Sequence, residues 1–129
     1  MKFKAVTENH LYKKAYAKGE RFCGKYVAVY ILRDLAAERI RNARPDKRYV
    51  NRIGISTSKK IGGAVVRSRV RRIIREGYRE VERSVCLHQG KLVIIAARSA
   101  AAGAKSTDIA RELLYAMKRV NMVKKDPTS

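Results

Sequence analysis

The sequence predicts a small α+β (α/β) two-layer sandwich, with helices packed on a small mixed sheet in the order α-β-β-α-β-α. Two observations lead to this class. Segments with the twofold alternation of a strand, such as residues 22–32, occur among segments with a helical period, such as residues 63–85. A length of 129 residues with 46% hydrophobic content suits one domain with a modest core. We expect a single domain over 1–129, ordered from about residue 7 to 120, with basic tails at both ends.

The first part of the chain predicts a helix followed by a strand. The helix begins with Thr7 as its N-cap and ends at Gly19, because a hydroxyl residue favours a helix start and glycine a helix end. Residues 22–32 are rich in β-forming residues and alternate in character. The alternation predicts Val27, Val29 and Ile31 on one face, and Tyr26, Ala28 and Tyr30 on the other.

A charged connection and a second strand follow. Residues 34–47 contain a Pro-Asp turn signal, and residues 35–40 can form a helical turn. The second strand covers residues 49–57. Its Gly54, Ser56 and Ser58 share one face, which can accept the close approach of a helix or a backbone.

The second half predicts two helices around a buried strand. The long helix covers residues 63–85 and carries an apolar stripe at a helical period. Residues 91–97 form a continuous apolar run, which predicts a central strand buried on both faces. A loop of small residues over 99–105 leads to a last helix that begins at Ser106 or Thr107.

The charge of the chain predicts a polyanionic partner. There are 31 Lys and Arg residues against 11 Asp and Glu, which gives a net charge of +20 and a pI of about 10.6. Arg67, Arg71, Arg75 and Arg79 recur one helical turn apart, although like charges at this spacing destabilise a helix by a few tenths of a kcal/mol per pair. A solvated face balanced by glutamates is the alternative, but residues 59–75 contain no acid. Nucleic acid is therefore the expected partner.

Tyrosines provide a second candidate binding feature. Exposed tyrosines beside basic groups can stack on single-stranded bases. The alternative is a tyrosine-lined core with hydroxyls at the surface. The candidate stacking residues are Tyr12, Tyr16, Tyr26 and Tyr30.

Several other classes of protein are not expected from the sequence. No run reaches the roughly 18–20 apolar residues of a spanning helix, and the N-terminus lacks a signal-peptide core. Cys23 and Cys86 lie far apart, so we expect free, partly buried thiols in a reduced, cytoplasmic compartment. His10 and His88 have no acidic partners at ligand or catalytic spacing, so we expect neither a catalytic residue nor a protein-bound metal. The basic helix lacks the helix-turn-helix partner or zipper of a major-groove DNA reader.

Residues 53–76 are similar to the signature of the bacterial ribonuclease P protein component. Its hallmark is a Lys-x-Gly-x-Ala-Val-x-Arg-Asn-Arg-x-Lys-Arg run, matched here by the segment from Lys60 to Arg72. Ser68 stands where the family usually has Asn, and the 34–47 connection is longer and more charged than in typical members. The resemblance extends over about residues 7–120.

The resemblance implies a fold similar to the second domain of ribosomal protein S5, with a left-handed β-α-β crossover. It also implies a catalytic RNA partner that performs Mg2+-dependent removal of the 5′ leader from precursor tRNA. The leader would lie in a cleft between the sheet and a helix, against residues matching Tyr12, Tyr16 and Tyr30. The implied RNA-binding residues are Arg67, Ser68, Arg69, Arg71, Arg72 and Arg75, and we expect Lys59 and Lys60 to bind RNA beside them.

Two other functions are compatible with the residues alone. One is a basic module that binds ribosomal or other structured RNA without taking part in cleavage. The other is a protein-only nuclease, which would need a carboxylate cluster that the sequence does not suggest.

Overall fold

A computed structural model describes residues 3–5, 9–34, 51–88 and 90–123. The helices and strands are β1 Phe3–Ala5, α1 Asn9–Lys18, β2 Glu20–Cys23, β3 Val27–Arg33, β4 Asn51–Ser56, α2 Ala64–Ser84, β5 Lys91–Ala97 and α3 Ser106–Arg119. Short 3-10 turns at Lys59–Ile61 and Ser99–Gly103 precede α2 and α3.

The five strands form one mixed sheet in the order β1-β4-β5-β3-β2. β4 is parallel to both β1 and β5, whereas β3 is antiparallel to β5 and β2. Helix α2 connects the parallel neighbours β4 and β5, so the strand-helix-strand crossover is present; its hand stays a prediction. The α+β fold class predicted from the sequence, with helices packed on a small mixed sheet, is confirmed.

The two faces of the sheet carry different helices. Odd-numbered positions of β3, β4 and β5 pack against α2 and α3 in the main core, around residues such as Val29 and Ile95. Even-numbered positions pack against α1 in a smaller cluster, built on Ala15, Leu92 and Ile94. β5 is thus buried on both faces, as its continuous apolar run predicts.

The expectation of one strand over residues 22–32 is wrong. The segment is the hairpin of β2 and β3, with a turn between Cys23 and Val27. The Glu112 carboxylate of α3 accepts the backbone N–H groups of Lys25, Tyr26 and Val27 at 2.7, 2.8 and 2.8 Å. A carboxylate 85 or more residues away therefore holds the turn, and no local pattern signals it.

Other boundaries also differ from the sequence-based expectation. Residues 3–5 form a strand on β4 instead of a basic tail, because backbone pairing needs no side-chain pattern. The small-residue loop contains the 3-10 turn Ser99–Gly103. The Thr7 N-cap, the helical turn at residues 35–40 and the tail over 124–129 lie outside the described residues. None of the described helices is both long and apolar enough to cross a membrane.

Two buried polar contacts fix the start of β4. Arg52 donates from Nε and Nη2 to the two carboxylate oxygens of Asp34, at 2.6 and 2.8 Å, and both residues are buried. The Asn51 amide donates to the His88 carbonyl and accepts the Lys91 N–H, each at 2.9 Å. Because paired polar groups avoid the cost of burial, these contacts set where β4 and β5 begin.

Candidate nucleic-acid interface

Helix α2 has an apolar back and a cationic front. Its buried residues follow a helical period: Val70, Ile73, Ile74, Gly77, Tyr78 and Val81. Gly77 permits close contact with α3, since a Cβ there would lie 2.9 Å from Ile109 Cγ2. The back of the helix is thereby docked, and Ser68, Arg72 and Arg75 on the front are exposed.

The 3-10 turn before α2 places two further cations at the start of this front. Lys59 and Lys60 are exposed, whereas Ile61 is buried and anchors the turn in the main core. Gly62 has φ of 152°, a backbone conformation that side-chain-bearing residues rarely adopt, so glycine is needed there. No described side chain caps the N-terminus of α2 at Gly63, so the first backbone N–H groups of the helix have no side-chain acceptor among the described residues.

Arg71 is oriented toward the end of the sheet. Its Nη1 donates to Thr57 Oγ1 at 2.7 Å, and its Nη2 lies 3.4 Å from the Ser68 hydroxyl. On the same flank, Arg67 Nε is buried and makes no hydrogen bond to the described residues. A buried, unpaired guanidinium nitrogen is costly unless a ligand satisfies it.

Arg69 differs from the other arginines of the motif. It points to the opposite flank, where Nη1 donates to the Ala102 carbonyl at 3.1 Å and Nη2 to the Ala104 carbonyl at 2.8 Å. These carbonyls lie in the 3-10 turn and loop before α3. The Arg69 guanidinium therefore ties α2 to the segment before α3, and its expected contact with RNA stays a prediction.

Tyr12 is held between α1 and the sheet. A Cβ at Gly54 would lie 2.6 Å from the Tyr12 hydroxyl, so the absent side chain makes room for the ring, on the face predicted for close approach. Burial raises the pKa of Tyr12, and the neighbouring Tyr16 raises it further, while a hydrogen bond with the Ile55 backbone lowers it. The hydroxyl consequently stays protonated at neutral pH and can donate a hydrogen bond.

Tyr16 and Tyr30 lie together beside Tyr12 on the same face. Their rings meet edge to face with centroids 4.9 Å apart, and Tyr16 is 40% exposed. Beyond α1 this face carries small residues of β3, β4 and β5: Ala28, Ser56 and Ala96. The tyrosines therefore border a stretch of small residues, of which Ser56 and Ala96 are partly exposed. We call this surface the tyrosine face.

Arg21 is a component of the tyrosine face that sequence reasoning missed. It is the cross-strand partner of Tyr30, so both side chains lie on one side of the sheet, and Arg21 is exposed. Its position depends on β2, a strand that was not expected. Assigning the β2–β3 hairpin from the sequence would have placed Arg21 beside Tyr30.

Tyr26 does not belong to the tyrosine face. It lies in the turn before β3, outside the strand's alternation, and packs against the main core on the opposite side of the sheet. Lys25 Nζ lies 5.3 Å from its ring centroid. The expected grouping with Tyr30 is wrong because the alternation does not extend back through the turn.

We call the cationic front of α2, formed by Ser68, Arg71, Arg72 and Arg75, the arginine front; it meets the tyrosine face at the end of β4. Thr57, which accepts from Arg71, follows directly after Ser56 of the tyrosine face. One RNA running along the end of the sheet could therefore contact both surfaces. Together they present guanidinium groups for phosphates and rings for bases.

The histidines and cysteines of the described residues lie at exposed positions. The described residues contain no cluster of three or more His, Cys, Asp or Glu that could hold a metal ion. His10 and His88 are both exposed. Cys23 and Cys86 are free, but they are exposed where partial burial was expected.

Comparison with known proteins identifies relatives over almost the whole chain. The family model described as Ribonuclease P matches residues 1–121. The ribonuclease P protein component of Clostridium acetobutylicum is 37% identical over 109 residues, which cover 84% of this chain and 82% of the relative. That of Clostridioides difficile is 31% identical over 120 residues, covering 92% and 93%.

Solved structures agree with the fold. A Staphylococcus aureus RNase P protein mutant with defective mRNA degradation activity superposes with a TM-score of 0.71 at 25% identity, covering 92% of this chain and 88% of that one. The RNase P protein from Thermotoga maritima has a TM-score of 0.69 at 16% identity, covering 91% and 97%, and supports the fold alone.

Proposed function

The chain belongs to the ribonuclease P protein family, and from this premise we propose which RNA each of its two surfaces binds. It is the protein subunit of a ribonucleoprotein endoribonuclease that acts in tRNA 5′ processing, and its partner is the RNA subunit. The arginine front would bind the catalytic RNA, and the tyrosine face would bind the single-stranded leader of precursor tRNA.

The arginine front suits a folded RNA because its contacts would be to phosphates. Guanidinium groups match phosphate oxygens in a two-point geometry and stay charged at any physiological pH. Arg71 supports this assignment best, since Thr57 and Ser68 orient it while the neighbouring Arg72 and Arg75 are exposed. Lys59 and Lys60 extend the same front toward the open amides of α2.

The tyrosine face suits an unpaired strand because it offers aromatic rings beside small side chains. Tyr16 and Tyr30 can stack on bases, the neutral Tyr12 hydroxyl can donate to a base or ribose, and Arg21 can pair with a phosphate. Because it adjoins the arginine front at Thr57, a leader on it can continue into RNA held by α2.

Mg2+ enters this proposal as a cofactor of the RNA. Divalent ions held by the catalytic RNA and substrate would supply the attacking hydroxide and stabilise the leaving oxygen. The protein's cations would lower phosphate repulsion between the two RNAs, so less Mg2+ would be needed. We propose a cytoplasmic location, where the RNA subunit and its substrate are made.

Reconstitution with the catalytic RNA tests the function. At low Mg2+ we expect the protein to accelerate cleavage of precursor tRNA and to raise affinity for precursor over mature tRNA, because only the precursor has a leader for the tyrosine face. The measurement is single-turnover cleavage and binding with and without protein. If the protein changes neither quantity, it acts as a general RNA-binding module.

Tyr30→Ala tests the assignment of the leader. Loss of one stacking platform is expected to lower precursor affinity by roughly 1–3 kcal/mol, or about 5- to 150-fold, and to leave affinity for the catalytic RNA unchanged. Tyr115→Ala is the matched control, since Tyr115 is 56% exposed on α3 and contacts Phe22 on the opposite face. Equal losses for precursor and catalytic RNA would mean that Tyr30→Ala damages the fold instead.

A further inference from the structure

A pocket of about 520 Å3 lies at the end of the sheet opposite to Thr57. It is lined by Lys18 at the end of α1, Arg33 at the end of β3 and Lys91 at the start of β5, with an apolar floor that includes Val120 and Met122. Glu20 is the acid in this lining. We call it the end pocket; it shares no residue with the arginine front or the tyrosine face.

The positions of the cations in the end pocket lower the stability of the sheet. Arg33 and Lys91 are directly opposite each other across β3 and β5, so their side chains lie on the same face of the sheet. Like charges directly opposite each other destabilise a sheet. Among the described residues, neither they nor Lys18 form a salt bridge that would offset this repulsion. An anion bound between Arg33 and Lys91 would be attracted to both cations and would offset their mutual repulsion.

The size and lining of the pocket indicate the kind of anion. A volume of 520 Å3 exceeds the needs of a single inorganic ion and suits a nucleotide unit. Arg33 and Lys91 can hold its phosphate, while the apolar floor can contact a ribose or base. Within the described strands, the pairing of β3 with β2 ends at Ile31, so β2 does not cover Leu32 and Arg33.

We propose that the end pocket binds a nucleotide unit of RNA through its phosphate, as a contact separate from the arginine front. This inference rests on the proposed function, which supplies an RNA large enough to reach it. β5 has six residue steps from Lys91 to Ala97, so the end pocket and Thr57 are separated by about 20 Å. Two phosphate-binding sites separated by this distance would define the orientation of the protein on the RNA.

The test compares Arg33→Gln/Lys91→Gln with Lys105→Gln/Arg111→Gln, which removes the same charge from exposed positions of α3 and its start. Affinity for the catalytic RNA is measured against salt concentration, and affinity of the assembled enzyme for precursor tRNA separately. Loss of one phosphate contact should lower the log-log salt slope by roughly 0.7–0.9 and the affinity about fivefold near 0.15 M salt. The control should retain the wild-type slope.

The result identifies the RNA that donates the phosphate. A loss confined to the catalytic RNA assigns the phosphate to that partner, and a loss confined to precursor affinity assigns it to the substrate. Glu20→Gln should act in the opposite direction and strengthen the same binding, since it removes the acid from the lining. Arg33→Lys/Lys91→Arg should keep the wild-type slope and controls for folding.

The inference is overturned if Arg33→Gln/Lys91→Gln and the α3 control match in both measurements while the wild-type protein binds and stimulates normally. That outcome leaves the proposed function intact. If wild-type protein itself fails to stimulate cleavage, the proposed function fails first. Should the double variant not fold, Arg33→Gln alone, paired with Arg111→Gln, provides the same comparison.

Discussion

Replacing Arg71, Arg72 and Arg75 together by glutamine is expected to lower affinity for the catalytic RNA on the order of 100-fold near 0.15 M salt. Each phosphate contact releases counterions from the RNA, so losing three should reduce the log-log salt slope by roughly 2–3. Glutamine keeps the helix propensity and most of the side-chain length. The buried back of α2 is not altered, so the triple variant should fold, with a loss of about 1 kcal/mol in the free energy of unfolding from the Arg71–Thr57 hydrogen bond.

The control for the arginine front removes three charges elsewhere. Arg83→Gln, Lys105→Gln and Arg111→Gln change exposed residues outside the front, and Arg83 is on the same helix. Because the two triple variants have the same net charge, a difference between their affinities reports direct contact with the RNA and not general electrostatic attraction. Identical salt slopes for both would exclude the front as a phosphate-binding surface.

Arg69 provides a contrast within the same motif. Arg69→Gln removes donors from the Ala102 and Ala104 carbonyls, so it should lower the free energy of unfolding by roughly 1–3 kcal/mol. The salt slope of the folded variant should match wild type. The motif would then consist of residues that bind RNA and one that positions the loop before α3.

The sequence carried enough information to predict α2 and its surroundings. The apolar period of that helix and the buried run of β5 are local signals, and each survives in the structure because packing reinforces it. The Gly54 face was also predictable, since only a small residue permits the contact with Tyr12. Phosphate-binding candidates followed from charge spacing and the family resemblance.

What could not be predicted depends on contacts between distant residues. β1 is three residues long and is defined by pairing with β4. The β2–β3 turn is held by Glu112, so Arg21 and Tyr26 could not be assigned to faces from their own segment. Arg69 looks like its neighbours in sequence and differs only because Ala102 and Ala104 lie beside it in space. Local periodicity carries no information about such contacts between residues that are far apart in the sequence.

Glu112 therefore matters more to the binding surface than its place on α3 suggests. Its carboxylate accepts three backbone N–H groups of the β2–β3 turn, and Gly24 allows the approach, since a Cβ there would lie 2.5 Å from Glu112 Cδ. Arg98 supports the same turn by donating to the Gly24 carbonyl at 2.6 Å. The hairpin that this carboxylate anchors carries Arg21 and Tyr30 of the tyrosine face.

Glu112→Ala is expected to lower the free energy of unfolding by about 3 kcal/mol, because it leaves three N–H groups without their acceptor and two of them are partly buried. Glu112→Gln should cost less, since one acceptor oxygen remains. Urea denaturation measures both, and Glu80→Ala is the control, as its exposed pair with Arg83 contributes little. Where Glu112→Ala remains folded, a loosened hairpin should weaken precursor affinity more than catalytic-RNA affinity. Wild-type stability in both Glu112 variants would show that the carboxylate does not hold the turn.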